Sequence, residues 1–190
     1  MLPFILLFGA FIIVVSMIDA WRRRRRHAIS LSFWAMWFAH IGFAVGMIGI
    51  AVVTTYGQEL DLNMHPNEVV RVRDYEVKFI HESSLNGPNY HGSVVEFSIT
   101  HHENVETIHP EKRIYNVGQM VMTDADISAN LWRDIYVSLG EPLGENDWSV
   151  RVYYKPLVRW IWLGGLLMGF GGFLGLCHYG RYLQSVRKNT

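Results

Sequence analysis

The chain has 190 residues, half of them hydrophobic, and its 17 basic and 17 acidic side chains leave it without net charge. With Cys177 as the only cysteine, the sequence excludes an internal disulfide and a Cys-x-x-Cys redox pair. Any thiol chemistry in which the protein takes part must therefore use the sulfur atoms of another molecule.

The first predicted element is a transmembrane helix over residues 1–19, apolar from Met1 to Ile18. A secretory signal carries its positive charge before the apolar run, whereas here the charge follows it, as Arg22–Arg26. We therefore expect a retained helix followed by a basic cytoplasmic loop over residues 20–30. An arginine run can also indicate nucleic-acid binding. Between two membrane spans it is typical of a topology anchor that meets anionic lipid, so no nucleic acid is expected as a partner.

The second element is a transmembrane helix predicted over residues 31–54, with His40 alone near the middle of its apolar sequence. An ionisable side chain at that depth is costly and usually faces a bundle interior or a cavity. Imidazole is also a common ligand of haem iron. Trp37, Ala44 and Met47 share the face of His40, and the small Ala44 would leave room for a flat macrocycle between two apolar walls. The alternative is a histidine hydrogen-bonded to a neighbouring helix, and one histidine alone does not decide between the two.

Small residues form a second pattern on this helix, at alternating steps of three and four residues. Such stripes let helix backbones approach each other in lipid, although glycine is also commoner in membrane helices in general. We expect this stripe to hold the chain against a helix of a partner. Its members are Ala35, Ala39, Gly42, Gly46, Gly49 and Val53.

Residues 55–156 are predicted to form one β-rich domain outside the membrane, a small antiparallel barrel or sandwich. Alternating apolar and polar residues indicate half-buried strands, and Asn-Gly-Pro-Asn at 86–89 is typical of a turn. The predicted elements in chain order are strands Glu68–Ile80 and Ser93–Thr100, a strand pair over Arg113–Met122, a short helical turn over Asp126–Trp132, and strands Ile135–Leu139 and Trp148–Tyr154.

The last predicted elements are a third transmembrane helix over residues 157–177 and a cytoplasmic tail over residues 178–190. Residues 54–156 contain 8 basic and 16 acidic side chains, whereas the two predicted cytoplasmic segments contain 8 basic residues and no acid. Because basic residues accumulate on the cytoplasmic side, we expect the N-terminus and the β-rich domain to lie outside. The predicted fold class is an α-helical membrane protein with three transmembrane helices and an inserted extracytoplasmic β-rich domain.

Seven segments carry a resemblance to a known family. They are AHIG (39–42), RVRDYEVKF (71–79), GPNY (87–90), PEKRIY (110–115), MTDADI (122–127), RDIYVSLGE (133–141) and RVYYKPLVRWIWLGG (151–165). In that order they resemble the C-terminal part of CcmF, the haem lyase subunit of cytochrome c maturation, and of its relative NrfE. The resemblance covers essentially the whole chain, but only about the last third of a typical member.

The resemblance implies a membrane protein that holds a structural haem b between two transmembrane histidines, and His40 matches the second of these by position. It also implies a second haem, received from the chaperone CcmE at a tryptophan-rich segment and joined there to the Cys-x-x-Cys-His thiols of apocytochrome c. Thiol-handling maturation subunits such as CcmH are further implied partners. The tryptophan-rich segment and the first transmembrane histidine have no counterpart in this sequence.

These differences predict a split or truncated subunit that shares haem b with an N-terminal partner chain and has no haem lyase activity alone. The expected location is the bacterial inner membrane, in contact with membrane lipid, with the periplasm outside; an organellar inner membrane is the alternative. Two other functions remain open at this point. One is a membrane scaffold in which His40 is structural, and the other is a b-type electron-transfer subunit that performs no ligation.

Overall fold

The structure is a computed structural model that describes residues 2–25, 30–144 and 147–188, with the backbone alone for residues 181–188. The chain divides into two compact units. The helical unit consists of Met1–Tyr56 and Leu157–Thr190, and the β unit is Gly57–Pro156. The apolar segments and the alternating segments of the sequence thus belong to different compact units.

Three helices form the helical unit: α1 (Leu2–Arg25), α2 (Leu31–Tyr56) and α3 (Val158–Lys188). Each contains a stretch that is long and apolar enough to cross a membrane, which in α3 is Val158–Gly180. α1 extends beyond residue 19 because arginine is a good helix former and positive charge is favourable in the last turn of a helix. The predicted basic loop is therefore helical up to Arg25, and residues 26–29 lie outside the described part of the chain.

α2 lies in the middle of the helical unit and contacts both α1 and α3. Towards α3, a Cβ atom added to Gly42 would lie 2.6 Å from the carbonyl oxygen of Gly164 and 2.7 Å from the backbone nitrogen of Met168. Only glycine permits this approach of two backbones. Towards α1, Gly9 packs against Ile48 and the carbonyl oxygen of Ala44.

The small-residue stripe of α2 is covered by α3 of the same chain. Gly49 packs against Ile161 and the carbonyl oxygen of Leu157, and Gly171 of α3 approaches the backbones of Ala35 and Ala39. The expectation that this stripe binds a helix of a partner chain is therefore wrong, because the matching small residues are provided by α3.

The described residues of the β unit form ten strands. They are β1 (Gln58–Met64), β2 (Val69–Val72), β3 (Tyr75–Asn86), β4 (Tyr90–His101), β5 (Asn104–Ile108), β6 (Glu111–Tyr115), β7 (Val121–Asp124), β8 (Asp126–Ala129), β9 (Arg133–Pro142) and β10 (Trp148–Pro156). One antiparallel sheet has the order β1-β10-β9-β8 and the other β2-β3-β4-β6-β7, with β5 also paired to β4.

The two sheets enclose one apolar core. Alternate residues of β4 and β9 are buried in it, as the two-residue period of a strand requires. Phe79 and Phe97 are fully buried, with ring centroids 5.2 Å apart. Burying a side chain of this size stabilises a fold by about 1.5–3 kcal/mol. The predicted fold of three apolar helices and an antiparallel β domain is thus confirmed, and the β domain is a sandwich.

Two predicted elements of the β unit differ in the structure. The strand predicted over Glu68–Ile80 is a hairpin, because the chain turns at Arg73, whose φ of 57° is left-handed although it is neither glycine nor asparagine. The helical turn predicted over Asp126–Trp132 is wrong, since Asp126–Ala129 is strand β8. Asn130 holds the following turn, because its Oδ1 accepts hydrogen bonds from the backbone amides of Trp132 and Arg133.

Candidate functional site around His40

His40 lies on α2 with its side chain exposed on the surface of the helical unit. Its Nδ1 is 2.8 Å from the carbonyl oxygen of Met36, one helical turn earlier. A carbonyl oxygen only accepts hydrogen bonds, so Nδ1 carries the hydrogen and donates it. Nε2 therefore keeps its lone pair, the arrangement in which a histidine binds a metal through one nitrogen and is oriented through the other.

A groove between α1 and α2 contains the His40 side chain. Its volume is about 360 Å³, and its lining combines apolar side chains with four polar or charged ones. This size and mixed lining are typical of small-molecule and cofactor sites. The lining residues are Val15, Ser16, Ile18, Asp19 and Arg22 of α1, with Met36 and His40 of α2.

The other three predicted site residues do not line this groove. Ala44 is fully buried where Gly9 of α1 packs on it, so the space expected beside Ala44 is filled. Trp37 contacts Phe38 with ring centroids 5.2 Å apart, and its indole nitrogen is buried without a hydrogen-bond partner among the described residues. Met47 is half-buried. His40 is thus open on the Met36 side of α2 and closed on the Ala44 side.

The charged groups at the basic end of the groove are partly paired. Both carboxylate oxygens of Asp19 accept hydrogen bonds from Nε of Arg23, at 3.0 and 3.1 Å. This i, i+4 pair lies on the helix surface and contributes little to stability. Ser16, Asp19, Arg22 and Met36 were not predicted as site residues. The signal that could have found them is the short connection between the first two helices, which brings the end of α1 level with the beginning of α2.

His40 is a single candidate ligand. Among residues 2–25, 30–144 and 147–188, no group of three or more histidine, cysteine, aspartate or glutamate side chains is placed to hold a metal ion. A metal bound at His40 would therefore need further ligands, such as a porphyrin and a second axial group. The exposed His40 side chain and the apolar walls of the groove fit that chemistry.

Two ionisable side chains of the β unit, Lys112 and His65, make contacts within that unit. Lys112 of β6 is buried, and its Nζ donates to the Gly140 carbonyl at 2.5 Å and lies 2.8 Å from Oε1 of Glu141, which ties β6 to β9 of the other sheet. A hydrogen bond and the negative charge of Asp147, 2.6 Å away, raise the pKa of His65 above its usual value.

Together these features define a class: a membrane protein in which three membrane-length helices carry an antiparallel β-sandwich and present one histidine in a helix groove. Residues 55–156 match the family described as CcmF C-terminal beta-sandwich. The chain belongs to the CcmF family of cytochrome c-type biogenesis proteins.

Known relatives extend the match into the helices. The chain is 44% identical over 148 residues to cytochrome c-type biogenesis protein CcmF of Pseudomonas aeruginosa, covering 77% of this chain and 22% of that protein. It is 32% identical over 173 residues to NrfE of Haemophilus influenzae, covering 90% of this chain and 26% of the relative. The chain thus spans about a quarter of the length of these relatives.

A solved structure supports the fold. The chain matches a structure described as cytochrome c haem lyase CcmF with a TM-score of 0.72 and 18% sequence identity, over 89% of this chain and 28% of that one. The agreement extends beyond the sandwich, because 89% of the chain exceeds residues 55–156.

Proposed function

We propose that this chain is the C-terminal part of a membrane cytochrome c haem lyase, in which His40 provides one axial ligand to a structural haem b. The observation on which this proposal depends is the state of His40. The side chain lies in a groove between two membrane-length helices, and Nδ1 is held by the Met36 carbonyl so that Nε2 is the nitrogen left for iron.

The residues of the groove have distinct parts in this proposal. Nε2 of His40 would hold the iron, and the Met36 carbonyl fixes the orientation of the imidazole ring through Nδ1. Val15, Ile18 and the Met36 side chain would exclude water from the face of the porphyrin. When bound, haem b supplies an iron centre that exchanges single electrons.

The iron would need a second ligand, because His40 offers it one nitrogen. The proposed source is the N-terminal part of the haem lyase, which also contains the tryptophan-rich segment. We infer that the assembled complex receives haem from the chaperone CcmE and attaches it to the Cys-x-x-Cys-His thiols of apocytochrome c, with thiol-handling subunits such as CcmH as further partners. This part of the protein is inactive alone in the proposal, because it contains half of one haem site and no haem-delivery segment.

The proposed location is a bacterial inner membrane. The N-terminus and the β unit face the periplasm and the C-terminus faces the cytoplasm, as the arginines after the first span favour. The sandwich is then on the side where apocytochrome c is matured.

The experiment compares His40→Ala with Phe43→Ala in the complex assembled with the N-terminal part of the lyase. Phe43 is exposed on the same helix and does not line the groove, so its substitution controls for the loss of a ring from α2. We expect His40→Ala to remove haem b from a complex that still assembles, and external imidazole to restore part of it. Phe43→Ala should keep its haem.

The outcomes separate the possible functions. Full haem content in His40→Ala would refute the ligand assignment. A wild-type complex without haem would indicate a membrane scaffold, and one with haem b that never forms a covalent cytochrome product would indicate an electron-transfer subunit.

A further inference from the structure

The four arginines described in the last turn of α1 have different surroundings. Arg23 pairs with Asp19, and its guanidinium lies 5.2 Å from the ring centroid of Phe33. The guanidinium of Arg25 lies 3.9 Å from the ring centroid of Trp21. Arg22 alone among these four lines the groove that contains His40.

The charge of Arg22 is available to a ligand in this groove. Asp19 also lines the groove, but both of its carboxylate oxygens are bound by Arg23. Asp19 and Arg23 together add no net charge, so Arg22 leaves the groove with a positive end. A positive end on a groove whose exposed surface is mainly apolar is suited to an amphiphile that has an apolar body and an anionic edge.

The distance along the helix also suits such a ligand. Ser16 and Arg22 both line the groove, and the rise between them is about 9 Å of helix. The wall between them is formed by Ile18 on α1. A flat macrocycle ligated by His40 would rest on this apolar wall, and carboxylates on its edge would reach the basic end of α1.

We propose that Arg22 binds a propionate carboxylate of the haem whose iron His40 ligates. This inference rests on the proposed function and adds to it the residue that orients the macrocycle in the groove. A guanidinium presents a planar pair of N–H donors that matches a carboxylate, and such charge-assisted hydrogen bonds are stronger than neutral ones. Arg22 therefore fixes which edge of the haem points towards the basic end of α1.

The test measures haem release from the assembled complex to an excess of apomyoglobin. Arg22→Gln removes the charge, Arg22→Lys keeps it, and Arg24→Gln is the matched control because Arg24 belongs to the same turn and does not line the groove. Each complex is loaded either with haem b or with iron protoporphyrin IX dimethyl ester, in which both carboxylates are blocked.

With haem b, we expect Arg22→Gln to release haem about tenfold faster than the wild type, from the usual strength of a hydrogen bond to a charged group. Arg22→Lys should lie between the two, and Arg24→Gln should equal the wild type. With the dimethyl ester, the wild type and Arg22→Gln should release the porphyrin at the same rate.

Three results would overturn the inference: equal release of haem b from Arg22→Gln and wild type, an equal effect of Arg24→Gln, or an Arg22→Gln effect that persists with the ester. If Arg22→Gln fails to assemble, the wild type alone decides, because it should release the ester about tenfold faster than haem b. Haem retention by His40→Ala would refute the ligand assignment itself. If His40→Ala loses its haem but Arg22→Gln releases haem b at the wild-type rate, only the contact between Arg22 and the propionate is refuted.

Discussion

Replacing Gly42 by alanine should push α2 and α3 apart, although the substitution adds only one methyl group. A Cβ atom at this position would lie 2.6 Å from the Gly164 carbonyl oxygen, 2.7 Å from the backbone nitrogen of Met168 and 2.9 Å from Cβ of Leu167. Two of these atoms are backbone atoms, which cannot move aside as the end of a flexible side chain does. The helices must therefore shift apart by about 1 Å to restore ordinary carbon contact distances of about 3.5–4.0 Å.

Other glycines of the helical unit provide graded controls. At Gly46 the same Cβ atom would have its nearest contact at 3.9 Å, from the Gly164 Cα, so alanine fits there without displacement. At Gly165 of α3 it would meet nothing within 4 Å. Overpacking by a methyl group in a tight interior costs about 1–3 kcal/mol, so only Gly42→Ala should weaken helix pairing, by about 5- to 150-fold.

The assay is disulfide formation across the same interface. A Cβ atom at Gly175 would lie 3.8 Å from Cβ of Ala35, within the usual disulfide range. We expect Ala35→Cys with Gly175→Cys, in a Cys177→Ser background, to crosslink rapidly in membranes under mild oxidation. Adding Gly42→Ala should lower the crosslinked fraction at every concentration of a denaturing detergent.

The order of the three alanine variants decides the result. Gly46→Ala and Gly165→Ala should crosslink as the parent protein does. Equal behaviour of Gly42→Ala and Gly165→Ala would contradict the packing of α2 on α3.

Two further predictions concern topology and pH. A cysteine at position 86, introduced in the Cys177→Ser background, should react with an impermeant thiol reagent in intact cells, whereas a cysteine at position 24 should not. Labelling at position 24 would contradict the proposed orientation. For His65, paired with Asp147, the raised pKa means that its contribution to stability is complete at acidic pH and is lost as the pH rises through the raised pKa. The thermal midpoint of the β unit, followed by its circular dichroism, should therefore fall between pH 6 and pH 8 by more in the wild type than in His65→Gln, and identical pH profiles would contradict this.

The helices and the class of the β domain could be predicted because their signals are local. An apolar run of membrane length and a two-residue alternation of apolar side chains each depend on neighbouring residues alone. The same alternation misled at Arg73, because it continues through the turn and the turn lacks the glycine or asparagine that usually marks one. At Asp126–Ala129 the apolar residues are too few to show a period, and pairing with β9 makes this segment a strand.

The site was predicted only at its centre. His40 is conspicuous because ionisable residues are rare in membrane helices. Its surroundings depend on how α1 crosses α2, and the sequence of α2 alone does not contain that information. Ala44 was therefore expected to border a cavity and is covered by α1, whereas Met36 and Arg22 line the groove. The stripe of small residues likewise indicated a close helix neighbour without indicating which helix it would be.

The most direct test of the account is to exchange the proposed ligand for another one. His40→Met places an unbranched apolar side chain at this position and offers a thioether sulfur to the iron in place of Nε2. Because histidine–methionine ligation raises the reduction potential of a haem, we expect the assembled His40→Met complex to retain haem b with a clearly higher midpoint potential and a changed absorption spectrum. An unchanged potential and spectrum would show that His40 does not ligate the iron.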